Sequence, residues 1–160
     1  MPDPKDLANF GWLETWIARG AEPTPSGFRW LSDAAFITVV NLRAEDNTES
    51  FLTRDLGLGG YYIPVVDNTA PTDAQAFDWL NLCADMAART LFVHCQSGHG
   101  RTSTFCVLLR LAQGHKLEEA IDEEVKHFGF KPEHDVAQVA YLHDVRRRMK
   151  SGEMTLPAIP

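Results

Sequence analysis

The sequence predicts an α/β domain in which a central, mostly parallel sheet of four to five strands is flanked by helices. Two kinds of observation predict this class. Apolar runs typical of buried strands occur at residues 36–42 and 91–93. Amphipathic patterns with helical spacing occur at residues 117–128 and 135–150. Strands that alternate with helices favour parallel pairing, with the helices covering the sheet.

The first half of the chain supplies one clear strand and less regular elements. Residues 10–18 are rich in aromatic side chains, and we expect them to begin as a short pair of strands. Residues 20–25 indicate a turn, and residues 26–32 a short helix before the strand at 36–42. Arg43 follows that strand at the edge where open α/β sheets bind ligands. Arg43 is therefore a candidate site residue, with a surface salt bridge as the alternative.

The second half has a more regular alternation of strand and helix. We predict strands at 61–65 and 91–93 and helices at 74–88, 102–112, 117–128 and 135–150. No repeat, low-complexity segment or linker interrupts the chain. We therefore expect residues 1–160 to form a single domain, in which residues 151–160 are a C-terminal tail.

Charge restricts the classes of partner. The 160 residues include 15 Lys and Arg against 22 Asp and Glu, a formal net charge of −7. This balance argues against a binder of nucleic acid or of an anionic membrane. The one basic cluster, residues 146–150, ends a predicted helix and complements its dipole, with a docking patch as the alternative. A monomer is expected.

The three cysteines and the N-terminus favour a cytoplasmic location. Residues 1–6 lack the apolar core of a signal peptide, and no apolar run approaches transmembrane length. Few cysteines without a signal peptide are typical of a reducing compartment. Cys83 and Cys106 lie on apolar stripes of predicted helices, which favours packing in the core.

The chemistry of the chain is concentrated between the strand at 91–93 and the helix that follows it. Five residues, two of them glycines, separate Cys95 from Arg101. A glycine-containing loop between a strand and a helix presents backbone N–H groups and a helix N-terminus to an anion. The same field favours the thiolate of Cys95, and the guanidinium of Arg101 can bind two phosphate oxygens. The predicted phosphate-binding residues are Gln96, Ser97, Gly98, His99, Gly100 and Arg101.

The segment from His94 to Thr102 resembles the HCxxGxxR[ST] loop of the cysteine-dependent protein tyrosine phosphatase superfamily. The small size of the chain resembles the dual-specificity branch. The resemblance implies a small phosphatase fold and the hydrolysis of phosphate monoesters, on phosphotyrosine and on phosphoserine or phosphothreonine of proteins. It implies a phosphocysteine intermediate and neither a metal nor another cofactor.

The resemblance also assigns roles to residues outside the loop. Asp67 follows the strand at 61–65, on a proline-closed loop where members of the superfamily carry their general acid; the alternative is a turn residue bonded to its own backbone. Asp73 is better explained as the start of a helix. Thr102 is expected to donate to the Cys95 sulfur, and His94 to orient the loop from beneath.

His99 is the loop residue whose identity geometry constrains least. We expect its side chain to face the rim of the pocket and contact substrate, with a solvent-facing position as the alternative. Zinc binding by His94, Cys95 and His99 is disfavoured, because ligands on one tight loop suit tetrahedral geometry poorly.

Other functions remain open. The same mechanism would serve a phosphoinositide, nucleotide or RNA 5′-phosphatase, because pocket depth depends on loops that sequence patterns do not predict. A phosphoresidue-binding pseudophosphatase and rhodanese-like sulfur or arsenate chemistry are alternatives of other classes. The presence of Cys95, Arg101 and Asp67 together argues against both.

Overall fold

A five-stranded sheet forms the centre of the protein, whose structure is a computed structural model that describes residues 6–160. The strand order is β1-β2-β5-β3-β4, and only the β1–β2 pair is antiparallel. The predicted α/β class with a mostly parallel sheet is thereby confirmed. Residues 1–5, where a signal peptide was judged absent, lie outside the described residues. The strands are β1 Gly11–Glu14, β2 Ile17–Gly20, β3 Thr38–Arg43, β4 Gly59–Val65 and β5 Leu91–His94.

Six α-helices flank the sheet within the described part of the chain. One of them, α2, was not predicted. The predicted helix at 74–88 was too long, because Asp85 has extended backbone angles and its carboxylate accepts from Ala87 N (2.9 Å), which starts a separate 3₁₀ turn at Met86–Ala88. The helices are α1 Pro25–Asp33, α2 Glu49–Asp55, α3 Asp73–Ala84, α4 Gly100–Ala112, α5 Leu117–Phe128 and α6 Val136–Ser151.

Two apolar clusters cover the two faces of the sheet. Successive residues of a strand point to opposite faces, so Phe92 joins one cluster and Val93 the other. The Phe92 cluster packs under α1, whereas the Val93 cluster includes most of α4. Trp79 of α3 donates from its indole N–H to the carbonyl of Phe105 in α4 (2.8 Å). The helix that follows the cysteine loop is therefore held from several sides.

The C-terminal segment after α6 has no regular secondary structure but packs on the core. Met154, Leu156 and Ile159 are buried in the same cluster as α4. Gln113 donates from its amide to the carbonyl of Pro160 (3.1 Å). The segment predicted as a tail is thus attached to the domain along its length.

Three arginines of the basic cluster near the end of α6 are paired within the chain. They form ion pairs with carboxylates of α3, α5 and α6, which leaves Lys150 as the cation of the cluster without such a pair in residues 6–160. The pairs are Arg146–Glu118 (2.6 Å), Arg147–Asp144 (2.9 Å) and Arg148–Asp73 (2.8 Å). Across residues 6–160 we find no helix with the length and apolar character needed to span a membrane.

Candidate active site

The loop at residues 95–101, called the phosphate loop below, begins where the central strand β5 ends. β5 pairs in parallel with β2 on one side and β3 on the other, and Cys95 follows its last residue, His94. Cys95 is buried, and α4 begins five residues later at Gly100. The loop therefore lies at the carboxyl edge of the sheet, with the N-terminus of a 13-residue helix behind it.

Gly98 permits the tight fold of this loop. Its φ is +78°, and a Cβ at this position would lie 2.7 Å from the carbonyl oxygen of Gly20. Beside it, Glu22 N donates to Gln96 O (2.9 Å), so the segment after β2 is bound to the loop by backbone contacts. Only glycine combines this backbone angle with this close approach.

We expect Gly98→Ala to lower kcat/KM roughly a hundredfold, the order of loss that a misplacement of about 1 Å can cause. The new methyl group would meet backbone atoms of Gly20, which cannot rotate away as a side chain can. Gly114→Ala is the matched control, since Gly114 also has a positive φ (+87°) but has no atom within 4 Å of its Cβ position. Both variants should lose about 1–2 kcal/mol of unfolding free energy from the left-handed backbone. Equal activity of the two variants in a steady-state assay would contradict the role given to Gly98.

Arg101 is almost completely buried and contacts the loop that carries the candidate general acid. Its Nη1 donates to Glu45 Oε2 (3.0 Å) and to the carbonyl of Val65 (2.9 Å), and its Nε lies 3.6 Å from Asp67 Oδ1. The hydrogen bond from Arg101 lowers the pKa of Glu45 below its ordinary value. Glu45, which sequence reasoning missed, thus holds the guanidinium in place as an ionised carboxylate.

Asp67 is both a turn residue and a neighbour of Arg101. Its carboxylate accepts from the backbone N–H of Asn68 (3.0 Å), as a turn residue does. The side chain is nevertheless 62% exposed and lies beside the Arg101 guanidinium. An acid that is accessible to a leaving group and is positioned by its own turn is suited to proton transfer.

A buried polar network lies beneath the phosphate loop. His94 Nδ1 lies 2.8 Å from the carbonyl oxygen of Cys95, and its Nε2 lies 2.9 Å from Glu49. Arg43 Nη2 donates to the same carboxylate of Glu49 (3.1 Å). His94 therefore lies where an orienting residue would, whereas Arg43 belongs to this network and does not line the cavity beside the loop. Arg43 also pairs with the exposed Glu22 (2.9 Å), so the salt-bridge alternative describes part of its contacts and the pair with Glu49 adds a buried one.

A cavity of about 340 Å³ lies beside the loop, with Asp67 on its border. His99 is exposed and lines this cavity, so the structure places it where contact with a substrate is feasible. Asp135 is buried, and its Oδ1 would lie 3.2 Å from a Cβ on Gly100. Sequence reasoning had treated Asp135 only as the start of a helix. The lining residues are Asp67, Asn68, Ser97, His99, Gly100, Lys131, His134 and Asp135.

Thr102 is fully buried in the first turn of α4, one residue after Arg101. Its hydroxyl forms no hydrogen bond with any residue in the described part of the chain. The expected bond to the Cys95 sulfur is therefore not formed here. A buried hydroxyl without a partner is costly, and such groups call for a specific explanation.

The two other cysteines are protected from reaction by the core. Burial raises the pKa of the Cys83 thiol and of the Cys106 thiol above the ordinary value. All three cysteines are free thiols. Because a neutral thiol is a poor nucleophile, neither Cys83 nor Cys106 is a candidate for that role.

The loop and its surroundings have the arrangement of the cysteine-dependent protein tyrosine phosphatase superfamily. The family described as "DSP-PTPase phosphatase fused to NAD+ Kinase" matches residues 5–142. The chain belongs to this family, which confirms the superfamily indicated by the cysteine loop.

Proteins similar in sequence include a plant protein and a yeast protein. The chain is 32% identical over 98 residues to the probable chloroplastic NAD kinase 2 of Oryza sativa subsp. japonica, covering 57% of this chain and 10% of that protein. It is 28% identical over 134 residues to the putative tyrosine-protein phosphatase OCA1 of Yarrowia lipolytica, covering 76% of this chain and 51% of that protein. The chain thus spans a tenth of the plant relative and about half of the yeast one.

The likeness in fold extends over nearly the whole chain. The core catalytic domain of the PP-IP phosphatase SIW14 from S. cerevisiae superposes with a TM-score of 0.75 at 18% identity. The match covers 94% of this chain and 97% of that one. At this identity the likeness confirms the small phosphatase fold and leaves the substrate open.

Proposed function

We propose that the protein hydrolyses phosphate monoesters, with phosphotyrosine and phosphoserine or phosphothreonine of proteins as substrates, through a phosphocysteine intermediate. One observation carries this proposal. The fold brings Cys95, at the end of β5, and Arg101, at the start of α4, to one loop, and it brings Asp67 of a separate loop to 3.6 Å from Arg101. This arrangement supports the assignment of Cys95 as nucleophile, Arg101 as ligand of the phosphate oxygens and Asp67 as proton donor.

In the first half-reaction the Cys95 sulfur attacks phosphorus while the bond from phosphorus to the ester oxygen breaks. Asp67 transfers its proton to that oxygen, which leaves as an alcohol or phenol. The loop N–H groups and the Arg101 guanidinium bind the three other phosphate oxygens. They stabilise the negative charge as it is redistributed over these oxygens in the transition state. Glu45 keeps the guanidinium oriented by its hydrogen bond to Nη1.

In the second half-reaction water attacks the phosphorus of phosphocysteine, and the sulfur leaves as a thiolate. The carboxylate of Asp67 accepts a proton from that water, so Asp67 is again a protonated acid at the start of the next cycle. We assign to the unpartnered Thr102 hydroxyl the stabilisation of the departing thiolate. No step requires a metal or an organic cofactor.

A second candidate substrate is a small phosphoester that carries another anionic group. The cavity beside the loop supports it, because Lys131, His99 and His134 can offer positive charge or hydrogen-bond donors to a second phosphate. SIW14 is named a PP-IP phosphatase, and the plant relatives are named NAD kinases, so inositol phosphates and nucleotides are the compounds to test. The buried carboxylate of Asp135 in the same cavity opposes this candidate by like-charge repulsion.

A substrate panel tests the proposal. We expect the reduced protein to hydrolyse phosphotyrosine peptides with unchanged rate in EDTA, and kcat/KM for phosphopeptides to exceed that for nucleotides and inositol phosphates. A higher kcat/KM for multiply phosphorylated small molecules would favour the second candidate. Binding of inorganic phosphate without turnover of any ester, in single-turnover assays as well, would instead indicate a pseudophosphatase.

A further inference from the structure

Arg19 is a fully buried arginine that the proposed chemistry leaves unused. It lies on β2, the strand next to β5, opposite Val93. Its Nη1 donates to both carboxylate oxygens of Glu124 on α5 (2.6 and 2.8 Å), and its guanidinium lies 4.0 Å from the centre of the Phe128 ring. Its Nη2 donates to the carbonyl oxygen of Gly98 in the phosphate loop.

Stability alone does not account for this arrangement. Removing two charges from water is expensive, and buried ion pairs replaced by apolar side chains of similar volume often leave proteins as stable or more so. The pKa of Glu124 reflects this cost, since burial raises it to about 7 although Arg19 opposes the shift. A charged pair retained at this depth, with one end on the phosphate loop, therefore suggests a role in the loop.

The Gly98 carbonyl determines the direction of a neighbouring donor. In a trans peptide the C=O of one residue and the N–H of the next point to opposite sides. Fixing the Gly98 carbonyl towards Arg19 therefore directs the His99 N–H to the other side. Asn9 makes a second bond to the same carbonyl from its amide (3.2 Å). Because Gly98 lacks a side chain, the bonds from Arg19 and Asn9 to its carbonyl contribute strongly to fixing this peptide plane.

We propose that Arg19, anchored by Glu124, is a positioning residue that holds the Gly98–His99 peptide in the orientation that binds phosphate. The inference rests on the proposed phosphatase function. Without Arg19 the peptide can rotate, which removes one N–H donor from the bound phosphate and turns a carbonyl dipole towards it. The loss affects the transition state most, because there the loop donors are matched to the developing charge.

The test combines two variants with a control. Arg19→Met together with Glu124→Met removes both charges, so neither partner stays buried and unpaired. Arg19→Lys keeps the charge but has a single donor group in place of the fork. Arg110→Met is the control, because Arg110 is also buried and paired, with Glu14 (2.6 Å) and Glu123 (3.2 Å), but these contacts lie away from the phosphate loop.

We expect the double variant to melt near the wild-type temperature while kcat falls about a hundredfold, the lower end of the cost of losing one preorganised donor. The inhibition constant of inorganic phosphate should rise and KM should change less than kcat. Arg19→Lys should recover part of kcat, and Arg110→Met should keep it even if its melting temperature falls.

Two results would overturn the inference. One is a folded double variant whose kcat and phosphate inhibition constant lie within twofold of the wild type. The other is an equal loss of kcat in Arg110→Met, since any buried arginine would then have the same effect. If the wild-type protein hydrolyses no ester, the proposed function fails. The affinity for inorganic phosphate, measured calorimetrically in the same variants, would then still test the role of Arg19.

Discussion

Replacing Cys95 with serine is expected to abolish turnover, with kcat reduced by about 10⁴-fold or more, as for other enzymes that lose their nucleophile. A serine hydroxyl is a weak nucleophile unless a base takes its proton. His94, which lies beneath residue 95, is not placed to act as that base, since its ring nitrogens lie against Glu49 and the Cys95 carbonyl. The measurement is the steady-state rate on a phosphotyrosine peptide, together with a search for the phosphoenzyme after acid quenching.

The control for this variant is Cys83→Ser, which makes the same change at a buried cysteine of α3. It should lose about 1–3 kcal/mol of unfolding free energy, because a buried hydroxyl replaces the thiol, and yet retain kcat. Cys95→Ser should still bind inorganic phosphate, since the loop N–H groups and Arg101 are unchanged. Residual turnover above one per cent in Cys95→Ser would contradict the assignment of Cys95 as nucleophile.

Changing Asp67 to asparagine is expected to lower kcat about a thousandfold on alkyl phosphates and phosphotyrosine, within the usual contribution of general acid catalysis. An amide has no proton to give at the ester oxygen, although it keeps the size of the side chain. An activated aryl phosphate has a leaving group that departs without protonation, so its rate should fall much less. The expected signature is therefore a steeper dependence of kcat on the leaving group.

Two further aspartates complete this experiment. Asp78 is exposed on α3. Asp78→Asn should therefore leave the rates on phosphotyrosine and on the activated aryl phosphate unchanged. Asp135→Asn tests the other carboxylate of the cavity. If Asp135→Asn steepens the leaving-group dependence and Asp67→Asn does not, the general acid is Asp135.

Regular elements with an apolar period were predictable, and those without one were not. The strand at 91–93 and the helix after the loop were predicted because the apolar residues there report burial directly. α2 was missed for the opposite reason. Its buried residues are the polar Glu49 and Thr53, and its Phe51 is 63% exposed. A helix that faces a polar network shows no hydrophobic period.

The candidate site, too, was predictable only in part. The order of Cys95, two glycines and Arg101 is local, and a strand–loop–helix segment shapes it within a dozen residues. The contacts that orient these residues come from distant parts of the chain. Glu45 and Arg19 are each separated by tens of residues from the loop residue they bind. In a sequence pattern, such buried charged residues look the same as charged residues on a solvated surface.

The sequence by itself determined the α/β class and the order of a cysteine, two glycines and an arginine on a loop between a strand and a helix. These features were predictable because backbone conformation and helix position depend mainly on residues that are neighbours in the sequence. Only the tertiary structure decided which charges hold that loop: Glu45 on Arg101, Glu49 beneath His94, and Glu124 with Arg19 beneath Gly98. A carboxylate acquires such a role by being brought close to a cation and shielded from water, and the packing of the whole chain determines both.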